Sequence, residues 1–301
     1  MQITFLGTAG SYPTRERNPS AIALDMEKDV LLLDCGEGTQ RQFYQSPVSF
    51  MRVRRIFITH FHGDHYLGLP GLVQTMGLNQ RTEPLDIYGP KETTRFVEAI
   101  LNSGYSYTHF PIQTHEIAPG ERVAFDAYSV TAAEARHSVP ALAYRIDEKE
   151  RRGRFKADEA RALGVHGSDF ALLEEGKPVT TRTGKLVLPE QVLGPPRPGR
   201  SVVYSGDTRP APEIIRLAEE ADVLIHEATF LEELKSLADA WGHSTALGAA
   251  TVAQKAGVRA LYLTHFSARY PELTGSEAEA HQAYPSAIAA HDLLELQVHQ
   301  R

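Results

Sequence analysis

Residues 59–65 read Thr59-His60-Phe61-His62-Gly63-Asp64-His65, so three imidazoles and a carboxylate fall within one short turn. The turn follows the apolar run Ile56-Phe57-Ile58 and precedes a stretch of helical composition. In an extended segment alternate residues share a face, so His60 and His62 can hold one cation while Asp64 and His65, at the helix entry, reach a second. Cys35 is the only cysteine, which excludes an internal disulfide and any cysteine-based zinc site; a metal must be taken by His, Asp and Glu. Four further candidates, His137, Asp207, His226 and His265, each close an apolar run. Asp207 suits a bridging role, because two neighbouring cations need a shared anion for charge balance.

Side chains of this kind work only when rigid elements aim them. Short apolar runs at 3–6, 21–24 and 30–33, separated by turn residues, predict a strand meander. Residues 36–46 have helical composition, 56–58 read as a buried strand, and Leu67, Val73 and Met76 predict a single helix over 64–78. A strand at 85–88 and a helix at 93–101 follow, then strands at 128–134 and 141–146 on either side of His137. From 145 to 200 the chain turns polar, basic and punctuated by Gly and Pro, ending in Gly194-Pro195-Pro196-Arg197-Pro198-Gly199, the mark of an insertion outside the main core. Strands at 201–205, 223–226 and 260–263 and helices at 211–220 and 246–256 then resume the alternation. The expected organisation is an α/β core in two halves, 1–144 and 201–301, interrupted by an inserted segment at 145–200.

With these motifs in place the chain resembles the metallo-β-lactamase superfamily. Its narrower likeness is to the ribonuclease Z family. That likeness rests on Phe5-Leu6-Gly7-Thr8, on Pro13-Thr14-Arg15-Glu16-Arg17-Asn18, and on Asp34-Cys35-Gly36-Glu37-Gly38-Thr39-Gln40. It continues through His137-Ser138-Val139-Pro140, Gly206-Asp207-Thr208-Arg209-Pro210, His226-Glu227-Ala228-Thr229-Phe230, Gly242-His243-Ser244-Thr245 and Leu263-Thr264-His265-Phe266-Ser267-Ala268-Arg269-Tyr270. The resemblance implies an αββα sandwich carrying an inserted flexible arm, and a zinc-dependent endoribonuclease that removes the 3′ trailer of precursor tRNA. It assigns His60, His62, His137 and Asp207 to one zinc ion and Asp64, His65, Asp207 and His265 to the other. Asp64 would accept the proton of the attacking water, and Glu227 with His243 would form a separate pair that supplies a proton to the leaving 3′ oxygen. The tRNA would keep a 3′ hydroxyl and the trailer a 5′ phosphate. Arg15, Arg17 and Asn18 are expected at the 3′ end of the substrate, and Arg269 at the scissile phosphate. The segment 145–200 would be the arm that grips the tRNA elbow. Where the family carries a Gly- and Pro-rich tip, Val165-His166-Gly167-Ser168-Asp169-Phe170 stands here. The family also implies a homodimer.

Composition qualifies the choice of partner. The 301 residues carry 31 Lys and Arg against 38 Asp and Glu, a net charge of −7, which by itself argues against a polyanionic substrate. The excess acid lies outside the inserted segment: residues 145–200 are net +3 and the remainder is net −10. Asp64 and Asp207 would in addition be neutralised by metal. RNA binding is therefore expected to be local, through the arm and a few arginines, and sensitive to salt. No apolar run approaches the roughly 20 residues of a membrane helix, and no charged-then-apolar leader follows Met1, so a cytoplasmic protein without a membrane partner is expected. A hydrolase of small phosphodiesters, esters or lactones would use the same metal rim, and a metal-stabilised RNA-binding subunit would keep the fold without turnover. The Glu227 and His243 motifs and the long basic insertion weigh against the first alternative, and the complete ligand set against the second.

Overall fold

The computed structural model describes residues 1–26, 28–105 and 108–300. Among them two seven-stranded sheets form the body of the larger compact unit, residues 1–147 and 200–299. The first sheet runs in the order Glu295–Gln297, Gln2–Gly7, Ala21–Asp25, Val30–Leu33, Val53–Phe57, Leu85–Gly89 and Ile112–Glu116. It is antiparallel through the meander and parallel from Val30–Leu33 onward. The second runs Ile288–Ala289, Leu261–Thr264, Val223–Glu227, Ser201–Tyr204, Leu142–Glu148, Tyr128–Glu134 and Arg122–Ala124.

Strand periodicity divides the apolar residues between two faces. In Val30–Leu33, Leu31 and Leu33 enter the core between the sheets, where they join Phe5, Phe57, Tyr144 and Tyr204, while Val30 and Leu32 face outward. That outer face is covered by the helices Thr39–Gln45, Leu69–Leu78 and Thr93–Leu101 through Phe43, Leu72, Met76 and Val97. The outer face of the second sheet is covered in the same way by Pro212–Leu217, Ala246–Ala256 and Thr274–Ala280. Two sheets with a helical layer on each outer side make the αββα arrangement, with strands buried on both faces as their near-continuous apolar runs require.

The single helix expected over 64–78 is two, Gly63–Tyr66 and Leu69–Leu78. The break comes from a tertiary contact. A Cβ at Gly68 would lie 2.1 Å from the carbonyl oxygen of Gly36, and the Gly68 amide donates to Cys35 at 2.9 Å. Pro70, which has no amide to give, then falls in the first turn of the new helix.

Residues 148–199 belong to a second compact unit with its own small core of Ala160, Val165, Leu173, Val179, Val187 and Val192. It contains the helices Ala157–Ala162 and Asp169–Glu174 and a two-stranded sheet, Val179–Thr180 with Leu186–Val187. Arg145 and Asp147, at the start of the expected insertion, instead pair with Val203 and Ser201 in the second sheet. No helix among the described residues is long and apolar enough to cross a membrane.

Candidate metal centre

The strand ends of the two sheets bring the chemistry to one rim. His60, His62, Asp64 and His65 follow Val53–Phe57, His137 follows Tyr128–Glu134, and Asp207 follows Ser201–Tyr204. Glu227 ends Val223–Glu227, and His265 follows Leu261–Thr264.

Two groups of ligand atoms share Asp207. In the first, His62 Nδ1 lies 3.1 Å from both His60 Nε2 and His137 Nε2, and Asp207 Oδ2 lies 3.7 Å from His60 Nε2 and 4.0 Å from His137 Nε2. In the second, His265 Nε2 lies 3.2 Å from Asp64 Oδ2 and 3.3 Å from both His65 Nε2 and Asp207 Oδ1. His65 Nε2 is 3.5 Å from Asp64 Oδ2 and from Asp207 Oδ1. Four ligands at about 2.0–2.1 Å around a tetrahedral ion stand about 3.4 Å apart, so the second group has the spacing of a metal cage.

The polar atoms also ask for a cation. Asp207 Oδ1 is buried and accepts no hydrogen bond, although two imidazole nitrogens are close by. Burial disfavours charge on His65, yet Asp207, Asp64 and Asp34 outweigh it and hold its pKa well above the usual histidine range. A metal ion would take the place of that proton. Burial, then His65, holds His60 well below the usual range, in the neutral form a metal binds.

Three of the imidazoles are aimed by a hydrogen bond from their other nitrogen. His65 Nδ1 donates to Asp34 Oδ2 at 2.7 Å, and that carboxylate also accepts from the Thr59 amide at 2.7 Å and the Tyr204 hydroxyl at 2.8 Å. His265 Nδ1 donates to Thr229 Oγ1 at 2.8 Å, and His137 Nδ1 to the carbonyl of Gly242 at 2.8 Å. His265 takes a left-handed backbone, φ 60°, that non-glycine residues seldom adopt. Its ring lies where a Cβ on Gly10 would be, 2.8 Å from the nearest carbon, so the Gly7-Thr8-Ala9-Gly10 turn serves close packing.

Glu227 and His243 form the separate pair. Glu227 Oε1 accepts from His243 Nδ1 at 2.9 Å and from the Thr208 amide at 3.0 Å, while Oε2 accepts from the Thr229 hydroxyl at 2.6 Å. Burial opposes a charge on His243, but the Glu227 carboxylate and its hydrogen bond prevail and raise its pKa to about 9. Thr245 holds this segment by capping the helix Ala246–Ala256, accepting from the Gly248 amide at 3.0 Å.

The family model described as anti-Pycsar protein Apyc1 matches residues 1–146, and that of the beta-lactamase superfamily domain matches residues 191–266. The ribonuclease Z of Methanosarcina mazei is 46% identical over 300 residues, covering 99% of this chain and 98% of the relative. That of Methanothermobacter thermautotrophicus is 48% identical over 300 residues, with 99% and 97% covered. The chain belongs to the ribonuclease Z family. The crystal structure of human tRNase Z, short form, matches with a TM-score of 0.74 at 27% identity, covering 99% of this chain and 100% of that one. The metallo-β-lactamase fold protein YhfI from Bacillus subtilis shares the fold at a TM-score of 0.71 and 20% identity, with 98% of each chain covered.

The remaining ribonuclease Z motif residues fall in different settings. Arg15 is exposed. Arg17 is 6% exposed, and its guanidinium donates to the carbonyls of Tyr270 at 2.8 Å, Pro271 at 3.2 Å and Ser267 at 3.4 Å. Its side chain is thus engaged in joining two loops, where substrate contact was expected. Asn18 is anchored as well, its amide donating to Asp292 Oδ2 and its side chain to the carbonyl of Glu37. The Arg269 guanidinium lies 5.6 Å from the ring of Phe230 and 5.9 Å from that of Trp241. His226, the other strand-end histidine, bonds through Nδ1 to the carbonyl of Glu227 and joins none of the ligand groups among the described residues. Asp34, Thr59, Tyr204 and Thr229, which orient the ligands, escaped sequence reasoning; a lone carboxylate directly after the apolar run 30–33 was the available signal for Asp34.

Proposed function

We propose that this chain is a zinc-dependent endoribonuclease that removes the 3′ trailer from precursor tRNA, leaving a 3′ hydroxyl on the tRNA and a 5′ phosphate on the trailer. The observation that carries this reading is the buried Glu227–His243 pair, 2.9 Å across, standing beside a complete set of metal-ligating side chains in a chain of the ribonuclease Z family. The donor set of imidazoles and carboxylates suits zinc, and His60, His62 and His137 would hold one ion and Asp64, His65 and His265 a second, with Asp207 within reach of both. A bound pair would lower the pKa of water and offset charge on the phosphoryl oxygens.

The chain's own residues manage protons and position. His243 Nδ1 is committed to Glu227, so Nε2 is the atom that gives a proton to the departing 3′ oxygen. Glu227, held ionised by His243 despite burial, keeps the imidazolium available. Burial raises the Asp64 carboxyl, but His65 and His265 overcome it and hold it well below the usual range, while Oδ2 accepts from the Ser11 amide at 2.6 Å. Asp64 thus stays ionised, orienting the attacking water as a hydrogen-bond acceptor and holding its proton only in passing. The unit 148–199 is the candidate tRNA arm, and a cytoplasmic homodimer is the working assembly.

Incubating the metal-replete protein with 3′-extended precursor tRNAs, with and without an encoded CCA, and mapping the cut and its end groups tests this. One cut at the trailer junction with the stated ends is expected. Cleavage at scattered positions, or of small diesters alone, overturns the tRNA assignment.

A further inference from the structure

Trp241 is the only tryptophan in the chain, and it is 51% exposed. Single exposed apolar side chains are common on protein surfaces and by themselves say nothing. The position of this one is the informative part. It ends the helix Lys235–Trp241, directly before Gly242, whose carbonyl aims His137, and two residues before His243. Gly242 takes a left-handed backbone, φ 81°, and a Cβ there would lie 3.0 Å from His137 Nδ1, so the chain turns tightly between the indole and the imidazole.

The indole stands in a small aromatic assembly. The Phe230 ring lies 6.0 Å from both Trp241 and His243, meeting them at 69° and 63°. The Arg269 guanidinium lies within 6 Å of the Trp241 and Phe230 rings, and its side chain also reaches Ser267 Oγ at 3.4 Å. A buried phenylalanine thus braces both a half-exposed indole that has a cation beside it and the His243 imidazole. This combination suits one nucleotide. The indole offers a face on which a base can stack, the guanidinium a partner for phosphate, and the imidazole a proton for the sugar oxygen between them.

We propose that Trp241 is the stacking platform for the base of the nucleotide whose 3′ oxygen leaves, the last nucleotide retained by the tRNA. The proposal rests on the trailer-removal reading above. Stacking on an aromatic face tolerates any base, so Trp241 fixes where the backbone is cut without choosing among sequences.

A cycle between protein and RNA tests it. Cleavage of a 3′-extended precursor is compared with that of the same precursor made abasic at the nucleotide before the cut, by the wild-type protein and by Trp241→Ala, Trp241→Phe and Trp241→Leu. Removing either the indole or the base should lower kcat/KM by roughly 5- to 150-fold, carried mainly by KM, and removing both should cost no more than one. Trp241→Phe should hold most of the activity and Trp241→Leu should not. The variants should bind as much metal as the wild type. Because Trp241 is the sole tryptophan, its emission gives a second reading: tRNA ending at the cut should quench it, and the same RNA abasic at its last position should not. Multiplicative losses in the cycle, equal activity of the Phe and Leu variants, or quenching that survives removal of the base overturn the proposal. Failure of the underlying reading looks different: the wild-type protein would then leave precursor trailers uncut. Failure of the platform alone leaves trailer cleavage intact and indifferent to the base.

Discussion

The two groups of ligands that meet at Asp207 are built differently. His60, His62 and His137 include two half-buried residues, and their spacings to Asp207 reach 4.0 Å. Asp64, His65 and His265 keep every quoted separation between 3.2 and 3.5 Å, and each has a partner from a distant part of the chain: Ser11, Asp34 and Thr229. A ligand locked by an outside hydrogen bond loses less freedom when metal arrives, so the second group is the better preorganised and should hold its ion more tightly. Graded chelation should therefore release metal in two steps, with the first group emptying before the second.

Asp207 is where the comparison breaks altogether. Removing it in Asp207→Ala takes one oxygen from each group. Both ions should be lost, and cleavage should fall by at least about 10³-fold, given several kcal/mol of electrostatic stabilisation per ion. Metal analysis after gel filtration, alongside a cleavage assay, checks this. Retention of one ion at full occupancy would show that the groups do not depend on the shared carboxylate.

His243 stands beside both groups, close enough to His137 and Asp207, and to Glu227 and His265, to share an ion with either pair. Its ring lies 5.0 Å from that of His137 and stacks at 5.5 Å on that of His265. His243→Asn should lower the rate of the chemical step by about 10²- to 10⁴-fold while both groups keep their metal. Single-turnover kinetics with metal analysis separates this from a structural defect. If metal content falls in parallel with rate, His243 acts through the ligands and the proton-donor role fails.

Asp34 sharpens the difference between the groups. Asp34→Ala removes the direct hydrogen bond from His65 and, through Thr59, only an indirect one from His60, so affinity should drop about 10- to 100-fold in the second group and less in the first. The two steps of chelation should merge or exchange order.

This asymmetry also explains what could be read from the sequence. Half of each group, His60 and His62 with Asp64 and His65, lies in one turn, 60–65, after an apolar run, so local spacing suffices to find them. His137, Asp207 and His265 were legible as polar residues closing buried strands. Asp34 meets His65 across 31 positions, and nothing local marks that contact except a carboxylate at a strand end. The break at Gly68 was hidden for the same reason, since it is set by the backbone of residues 35–36 and not by helix propensity. The alternation of central strands and helices was legible because burial on two faces enforces apolar runs, the two-sheet sandwich only through the family resemblance, and the strands Ile112–Glu116, Arg122–Ala124, Ile288–Ala289 and Glu295–Gln297 and the helix Thr274–Ala280 were not read. The ordered core of 148–199 was harder to see, its apolar residues being few and spread between Gly and Pro.

Arg17 gives the mildest test. Read along the chain, it is one of two basic residues in an exposed-looking loop. In the fold it ties that loop to the carbonyls of Ser267, Tyr270 and Pro271, just beyond the second-group ligand His265. Arg17→Ala should therefore lower stability by about 1.5–3 kcal/mol, the range for hydrogen bonds to a charged group, read as a shift in the denaturation midpoint. Arg17→Lys should recover little, because an ammonium cannot reproduce the planar fork that reaches three carbonyls. Metal should loosen in the second group, whose loop is freed, and stay unchanged in the first. Arg15, which is exposed, should show the opposite pattern: Arg15→Ala leaves stability and metal alone and weakens only precursor binding. If Arg17→Ala matched that pattern instead, Arg17 would be a substrate contact after all, and the firmer bracing of the second group would have to rest on Ser11, Asp34 and Thr229 alone.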